Sequence, residues 1–420
     1  MRTSLISCFF ALLLFSSKGN QFKLDSLQEY GLGFHWSTKQ KRVEIPFELH
    51  ANLVVIPIQL NASDTLRFLV DTGLGTTLLT DSLAFRNLGL KSIRKIDLLG
   101  LGEEKPIEAQ VLIDVKIQVG QASASHQNLI YVSSNQLNLS DYVGTKIQGV
   151  LGYELFANAV VTIDYARQRL ILRRAKQYHY SKRKGTRFPL EMVDNKPYIR
   201  AAQITSDQHV PLANRLLLDS GAGHVLFLDG NAVDSSMFHF SAKRVYLGKG
   251  LNGAILGNWG RVPQLILGSW TWKQVPAAFT FAQSTQQKIK SADLHGSLGG
   301  EFLRRFIVTF HYLDQYVVLK PIARQWRRQF DLGMSGLSFR AQGSTYQQFI
   351  VETIQANSPA EEAGIQVGDE LWFINGMRAS EYRLGDIYRM LRKKEGKKME
   401  MVIKRGQNFH MISFTLRALF

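Results

Sequence analysis

This 420-residue chain holds one cysteine, Cys8, ten prolines and no long apolar run. Cys8 lies in a short apolar leader, so the mature chain would hold no thiol. That excludes disulfides, thiolate metal sites and cysteine nucleophiles together. His-Glu-x-x-His is absent, and His35, His179, His209 and His311 show no metal-ligand spacing. No nucleotide loop, zinc finger, helix-turn-helix or RNA-recognition signature occurs, so neither a cofactor nor nucleic acid is expected. Ser220-Gly-Ala-Gly lacks the glycine two residues before serine that a nucleophile elbow needs. The apolar stretch Leu5–Phe15 is too short to cross a bilayer as a helix, and no stable membrane span is expected.

Residues 1–19 read as a cleavable secretory signal: Met1-Arg2, the apolar run, then Ser17-Lys18-Gly19. Export to a periplasm or the exterior follows as an expectation. Leu5-Ile6-Ser7-Cys8 loosely resembles a lipoprotein box, but the apolar run continues past Cys8 and only seven residues precede it, so lipidation is not expected. The formal charge of +17 comes from Lys and Arg spread along the chain, which favours a solvated basic surface over a nucleic-acid groove. A length of 420 residues calls for two or three domains.

An internal repeat organises the first three quarters. Arg67-Phe-Leu-Val-Asp71-Thr-Gly-Leu-Gly75 matches Arg215-Leu-Leu-Leu-Asp219-Ser-Gly-Ala-Gly223 at an offset of 148. Leu99-Gly-Leu-Gly102 matches Leu247-Gly-Lys-Gly250 at the same offset, and Gly149–Phe156 matches Gly296–Leu303 at 147. Upstream, Asn52 precedes Asp71 by 19 residues and Asn195 precedes Asp219 by 24, which places about five extra residues in a loop near Asp207–Ala213. Short Val/Ile/Leu runs such as Leu53–Leu60, Val111–Val119 and Val160–Ile163 predict strands, and short helices are expected at Tyr153–Asn158 and Glu301–Arg305.

A single Asp-Thr-Gly or Asp-Ser-Gly is usually a turn. Two at matched places in a duplication, each after an apolar strand, can bring Asp71 and Asp219 to opposite sides of one water. Like charges that close cannot both ionise, so the pair shares a proton. The ionised member can then activate the water while the protonated one donates to the developing oxyanion. Gly73 and Gly221 permit the tight turn, and Thr72 and Ser220 can hydrogen-bond across to the partner loop.

These three ordered motifs, present twice, resemble retropepsin-like aspartic proteases with both copies in one chain. The resemblance covers about residues 44–322 and implies a mainly β fold, with two barrel-like halves at 44–175 and 186–322 forming a pseudo-dimer. It implies catalysis by Asp71 and Asp219 and flaps at Gly100, Gly102, Gly248 and Gly250. Val150-Leu-Gly152 and Ser297-Leu-Gly299 match the element that braces the catalytic loops. Two departures stand out: Ser297 replaces an apolar residue, and His311 stands where the first copy has Asp164.

From about Asp331 the composition changes. Asn357-Ser-Pro-Ala-Glu-Glu-Ala-Gly-Ile365 reads as a turn and a short helix ended by Gly364. A strand Glu370–Ile374, an Asn375-Gly376 turn, an amphipathic helix Leu384–Arg392 and strands Lys398–Lys404 and His410–Leu416 follow. Residues 331–420 resemble a PDZ domain, an α+β module that holds an extended peptide, such as a C-terminal one, between a sheet edge and a helix. The resemblance makes Ser335, Gly336, Leu337, Ser338 and Phe339 the carboxylate-binding loop and edge, with Ile387 and Leu391 on the opposite wall.

The leading expectation is an exported aspartic endopeptidase whose PDZ module recruits or gates peptide or protein substrates. One alternative is a catalytically silent envelope protein that binds peptides through the PDZ groove. Another is a site assembled by dimerisation rather than within one chain.

Overall fold

The computed structural model describes residues 33–37, 39–98, 100, 105–133, 137–205, 211–229, 245–251, 253–280, 296–323, 325–330, 333–392 and 394–419. The leader, Cys8, Gly102 and residues 207–210 of the expected loop lie outside them. Pro211–Ala213, expected in that loop, begin the strand Pro211–Leu218 instead.

Strands dominate, as runs of β-branched and apolar residues favour. Leu53–Leu60 is a strand with the bounds expected, while Val111–Val119 extends to Ile107–Val119 and Val160–Ile163 to Ala159–Asp164. The helix expected at Tyr153–Asn158 is one 3₁₀ turn, Tyr153–Leu155, and its counterpart is Gly300–Leu303.

The first half is an eight-stranded sheet in the order Glu48–His50, Leu53–Leu60, Leu66–Val70, Gly149–Leu151, Leu78–Leu79, Ala122–Tyr131, Ile107–Val119, Lys91–Leu98. The second half repeats that order with Glu191–Val193, Lys196–Thr205, Pro211–Leu218, Gly296–Leu298, Leu226–Asp229, Trp270–Thr280, Gly253–Leu267, Val245–Gly250. Even the extra closing pair recurs, Leu53–Leu60 with Ile107–Val119 and Lys196–Thr205 with Gly253–Leu267. The sequence repeat is therefore a repeat of topology.

A six-stranded sheet joins the halves in the order Arg42–Pro46, Arg169–Arg174, Ala159–Asp164, Phe306–His311, Tyr316–Pro321, Thr186–Pro189. At its centre Thr162 lies opposite Thr309, with their hydroxyls 2.9 Å apart, so equivalent residues meet on the pseudo-twofold axis. Beside it Phe156 and Phe310 pack edge to face at 5.6 Å within one apolar core that spans both halves.

The C-terminal module is a separate sheet running Leu337–Gln342, Gln348–Ile354, Glu370–Ile374, Lys398–Arg405, Asn408–Thr415, with its own core. The helix Pro359–Glu362 is capped by Ser358, whose hydroxyl accepts from the Glu361 N–H, and Gly364 follows with φ +79. The helix Leu384–Met390 packs against the first strand through Ile387 and Tyr388. The module also touches the first half: the Tyr142 hydroxyl meets Glu352 Oε1 at 2.8 Å, and Leu384 lies against Gly144.

Candidate active site

Each Asp loop is built by the same local rule. The strand Leu66–Val70 runs parallel to Gly149–Leu151, and the Asp71 N–H donates to the Leu151 carbonyl at 3.0 Å. Pro211–Leu218 runs parallel to Gly296–Leu298, and the Asp219 N–H donates to the Leu298 carbonyl at 2.9 Å. The apolar-Gly element found in the sequence thus fixes where each carboxylate leaves its strand.

The two loops then lock onto each other. The Thr72 hydroxyl donates to the Leu218 carbonyl at 2.6 Å and accepts from the Ser220 N–H at 2.9 Å. The Ser220 hydroxyl donates to the Val70 carbonyl at 2.9 Å and accepts from the Thr72 N–H at 3.1 Å. All four bonds are buried, so losing one hydroxyl would leave polar groups unsatisfied in the core.

The glycines are required by proximity. A Cβ on Gly73 would lie 3.0 Å from Asp219 Cγ and 3.1 Å from Asp71 Oδ1. A Cβ on Gly221 would lie 2.1 Å from Asp71 Cγ, which no side chain can do. Instead the Gly73 N–H donates to Asp71 Oδ1 at 2.6 Å and the Gly221 N–H to Asp219 Oδ1 at 3.0 Å.

Asp71 and Asp219 are 3% and 0% exposed, and their carboxyls lie side by side: a Cβ on Gly73 would sit 3.0 Å from Asp219 Oδ1 and 3.1 Å from Asp71 Oδ1. Asp219 Oδ2 is buried and accepts no hydrogen bond from the protein. Burial pushes Asp71 up to about 6, against the Gly73 N–H, the Asp219 hydrogen bond and the Lys196 charge. Burial, and then repulsion from Asp71, pushes Asp219 well above the ordinary carboxylate range. The pair therefore holds one proton near neutrality, which belongs to both residues. Such a pair has a base and an acid in one place.

Supporting contacts missed in the sequence repeat across the axis. Ala51-Asn52 and Asp194-Asn195 are two-residue hairpin turns with positive φ throughout. Asn52 Nδ2 donates to the Gly223 carbonyl at 3.1 Å and Asn195 Nδ2 to that of Gly75 at 3.4 Å, each reaching the other half's loop. Arg67 pairs with Glu48 at 3.0 Å, and Arg215 pairs with Glu191. The shared Asn and Arg positions were the available signal.

Both departures from the repeat have physical reasons. The Ser297 hydroxyl hydrogen-bonds His224 Nε2 at 2.8 Å, a partner that the first copy, with Thr76 and Val150, does not need. His311 Nδ1 accepts from the Asp314 N–H at 3.2 Å, closing the same turn that Asp164 Oδ1 closes by accepting from Ala166 and Arg167.

Of the glycines expected in flaps, Gly248 and Gly250 lie in the strand Val245–Gly250 of a hairpin, and Gly100 lies between the strands Lys91–Leu98 and Ile107–Val119. Leu98 and Leu251, from the two hairpin ends, join one buried apolar cluster with Leu53 and Leu74. Among the described residues no group of His, Cys, Asp and Glu side chains could hold a metal. Likewise no described helix is long and apolar enough to cross a membrane.

The PDZ residues are assembled but closed. Ser335, Leu337, Ser338, Phe339, Ile387 and Leu391 are all buried, and Gly336 has φ +79 with no room for a side chain against Ser358. Val351 N–H and C=O bond to Asp369 and Gly368, so its partner Phe339 turns its own N–H and C=O to the open edge. The Tyr388 hydroxyl takes both: it accepts from the Phe339 N–H at 2.8 Å and donates to the Phe339 carbonyl at 3.0 Å. These are the bonds an added peptide strand would make.

Comparison with known proteins agrees with this architecture. Residues 56–155 match the family model of an aspartyl protease, and residues 350–405 match that of a PDZ domain. Among solved structures, the photosystem II D1 C-terminal processing protease shares 22% identity over 20% of this chain and 23% of its own, with a TM-score of 0.20. That likeness is too small to bear on function. No curated protein matches the chain.

Proposed function

We propose that the chain, which carries an aspartyl protease domain and a PDZ domain, is an exported endopeptidase using Asp71 and Asp219 as its catalytic pair. The observation that carries this reading is two buried carboxyls side by side, delivered by equivalent loops that hydrogen-bond across the pseudo-twofold axis. The ionised carboxylate takes a proton from a water as its oxygen attacks the peptide carbonyl. The protonated partner gives its proton to the carbonyl oxygen, forming a neutral tetrahedral diol. Collapse breaks the C–N bond as the amine takes the first proton, and the hydroxyl proton returns to the pair. Since Asp71 rises to about 6 and Asp219 lies higher, the singly ionised pair is the working form above about pH 6. Export is proposed from the leader, residues 1–19.

The PDZ module gates peptides in this reading, because a strand can add to Leu337–Gln342 only after Tyr388 releases Phe339. The same closure weighs against a silent binding protein working through an open groove. Tyr388→Phe should tighten binding of C-terminal peptides; unchanged or weaker binding by a folded variant contradicts the gate. The activity is tested by mass-spectrometric cleavage of peptide libraries across pH. Cleavage by the wild type and not by Asp71→Asn supports the proposal, and equal cleavage by both refutes it.

A further inference from the structure

The pseudo-twofold axis pairs the Asp loops and their supporting contacts, but one buried position beside them differs in charge between the halves. The hairpin turns ending in Asn52 and Asn195 are equivalent, so the next residues, Leu53 and Lys196, occupy the same place in each half. Each pairs with the residue before its turn, Leu53 with His50 and Lys196 with Val193. Both are 0% exposed. Leu53 fills its position as the fold asks, within an apolar cluster that includes Leu69 and Leu74. Lys196 puts a long cationic side chain into the mirror position. Its Cε lies 4.0 Å from where a Gly75 Cβ would sit, so the chain crosses from the second half to the Asp71 loop. Fully burying a lysine costs several kcal/mol unless charge compensates it. Among the groups that offer compensation are the two carboxyls.

We propose that Lys196 is the fixed countercharge of the Asp71–Asp219 pair, a positioning residue that favours the singly ionised pair over the fully protonated one. The inference rests on the catalytic reading above. Its charge acts on both carboxyls in the sense that favours ionisation, opposing the burial that acts the other way. The other ionisable groups around the pair cannot supply this. Buried Tyr312, whose phenol is driven well up by burial and then by the Asp71 charge, stacks on Tyr153 at 6.1 Å, and burial raises the Tyr153 phenol likewise. Tyr198 lies on the Asp219 side and is raised likewise. Arg215 is engaged by Glu191, and half-buried Glu154 is bound to Thr77. A Lys on one side only also makes the halves unequal, so the two aspartates are not interchangeable.

The test compares Lys196→Leu, which copies the first half, and Lys196→Met, which keeps the unbranched stem, in two backgrounds. In the full chain with the intact pair, each substitution should lower the Tm at pH 8. With Asp71→Asn and Asp219→Asn combined, each should raise it, because a buried charge without its partner has been removed. Cleavage adds a second readout: kcat/KM at pH 6 should fall about tenfold and recover toward pH 8, with Lys196→Arg closer to wild type. A Tm change of the same sign in both backgrounds, or an unmoved pH profile, overturns the proposal. If the wild type cleaves nothing, the catalytic reading fails while the Tm comparison still decides the role of Lys196.

Discussion

The two halves share a strand order and differ in how they handle buried charge. At the end of the bracing element stands a glutamate in each, Glu154 and Glu301. In the second half Glu301 pairs with Arg304 at 2.8 Å and with buried Arg305 at 3.4 Å. In the first half the residues at those places are Ala157 and Asn158, and Glu154 accepts from the Thr77 N–H and hydroxyl. Burial accordingly pushes Glu154 up to about 7. The duplicated fold fixes where a carboxyl sits; the residues that were free to diverge decide which partners it meets.

The sharpest way to break this contrast is the same substitution at both positions. Glu301→Gln strips buried Arg305 of its counterion and should cost about 3 kcal/mol in chemical denaturation. Glu154→Gln should do the opposite. A carboxyl raised in the folded state favours folding when protonated, so the wild type loses stability as pH rises from 4.5 to about 7. The Gln variant escapes that loss, and its advantage should grow over this window to the order of 1–3 kcal/mol and then level off. Equal effects at the two sites would erase the distinction.

The cross-bonded hydroxyls test the converse, a place where the halves should agree. Thr72→Val and Ser220→Ala each remove one hydroxyl and leave a buried N–H and carbonyl in the opposite half without it. Each should cost about 1–3 kcal/mol, with the double variant less than additive because the pair acts as a unit. Widely unequal costs would mean the axis is not energetically symmetric.

The smallest effect concerns the pair of aspartates as a structural burden. Asp71 and Asp219 are both raised, so the folded state loses stability as pH rises from 3.8 through about 6. Asp219→Asn removes the need to keep a buried carboxyl protonated and should raise the Tm at pH 7, with the gain fading toward pH 4. A gain that stays constant across that range would show that the fold does not raise Asp219.

The fold and the two aspartates were legible because duplication writes itself at a constant offset and because Asp-Thr/Ser-Gly has few physical uses after a buried strand. The PDZ strand Glu370–Ile374 was legible to the residue, since Gly-Asp and Asn-Gly turns bracket it. Lys196 was not, because a lysine after an Asp-Asn turn reads as a solvated loop residue until the partner half is seen to cover it. Tyr388 was hidden for a related reason: on the helix pattern it counts as another core aromatic, and only the sheet register reveals which backbone groups its hydroxyl meets. His224 and Ser297 lie 73 residues apart, and no periodicity links them.

The central claim is that one chain builds one site from both halves. It is tested by mixing Asp71→Asn protein with Asp219→Asn protein and measuring cleavage of a peptide that the wild type cuts. Each variant alone should lose about 10²–10⁴-fold in activity, and the mixture should remain as inactive as its components. Recovery of activity on mixing would place the catalytic pair between two chains and contradict the account.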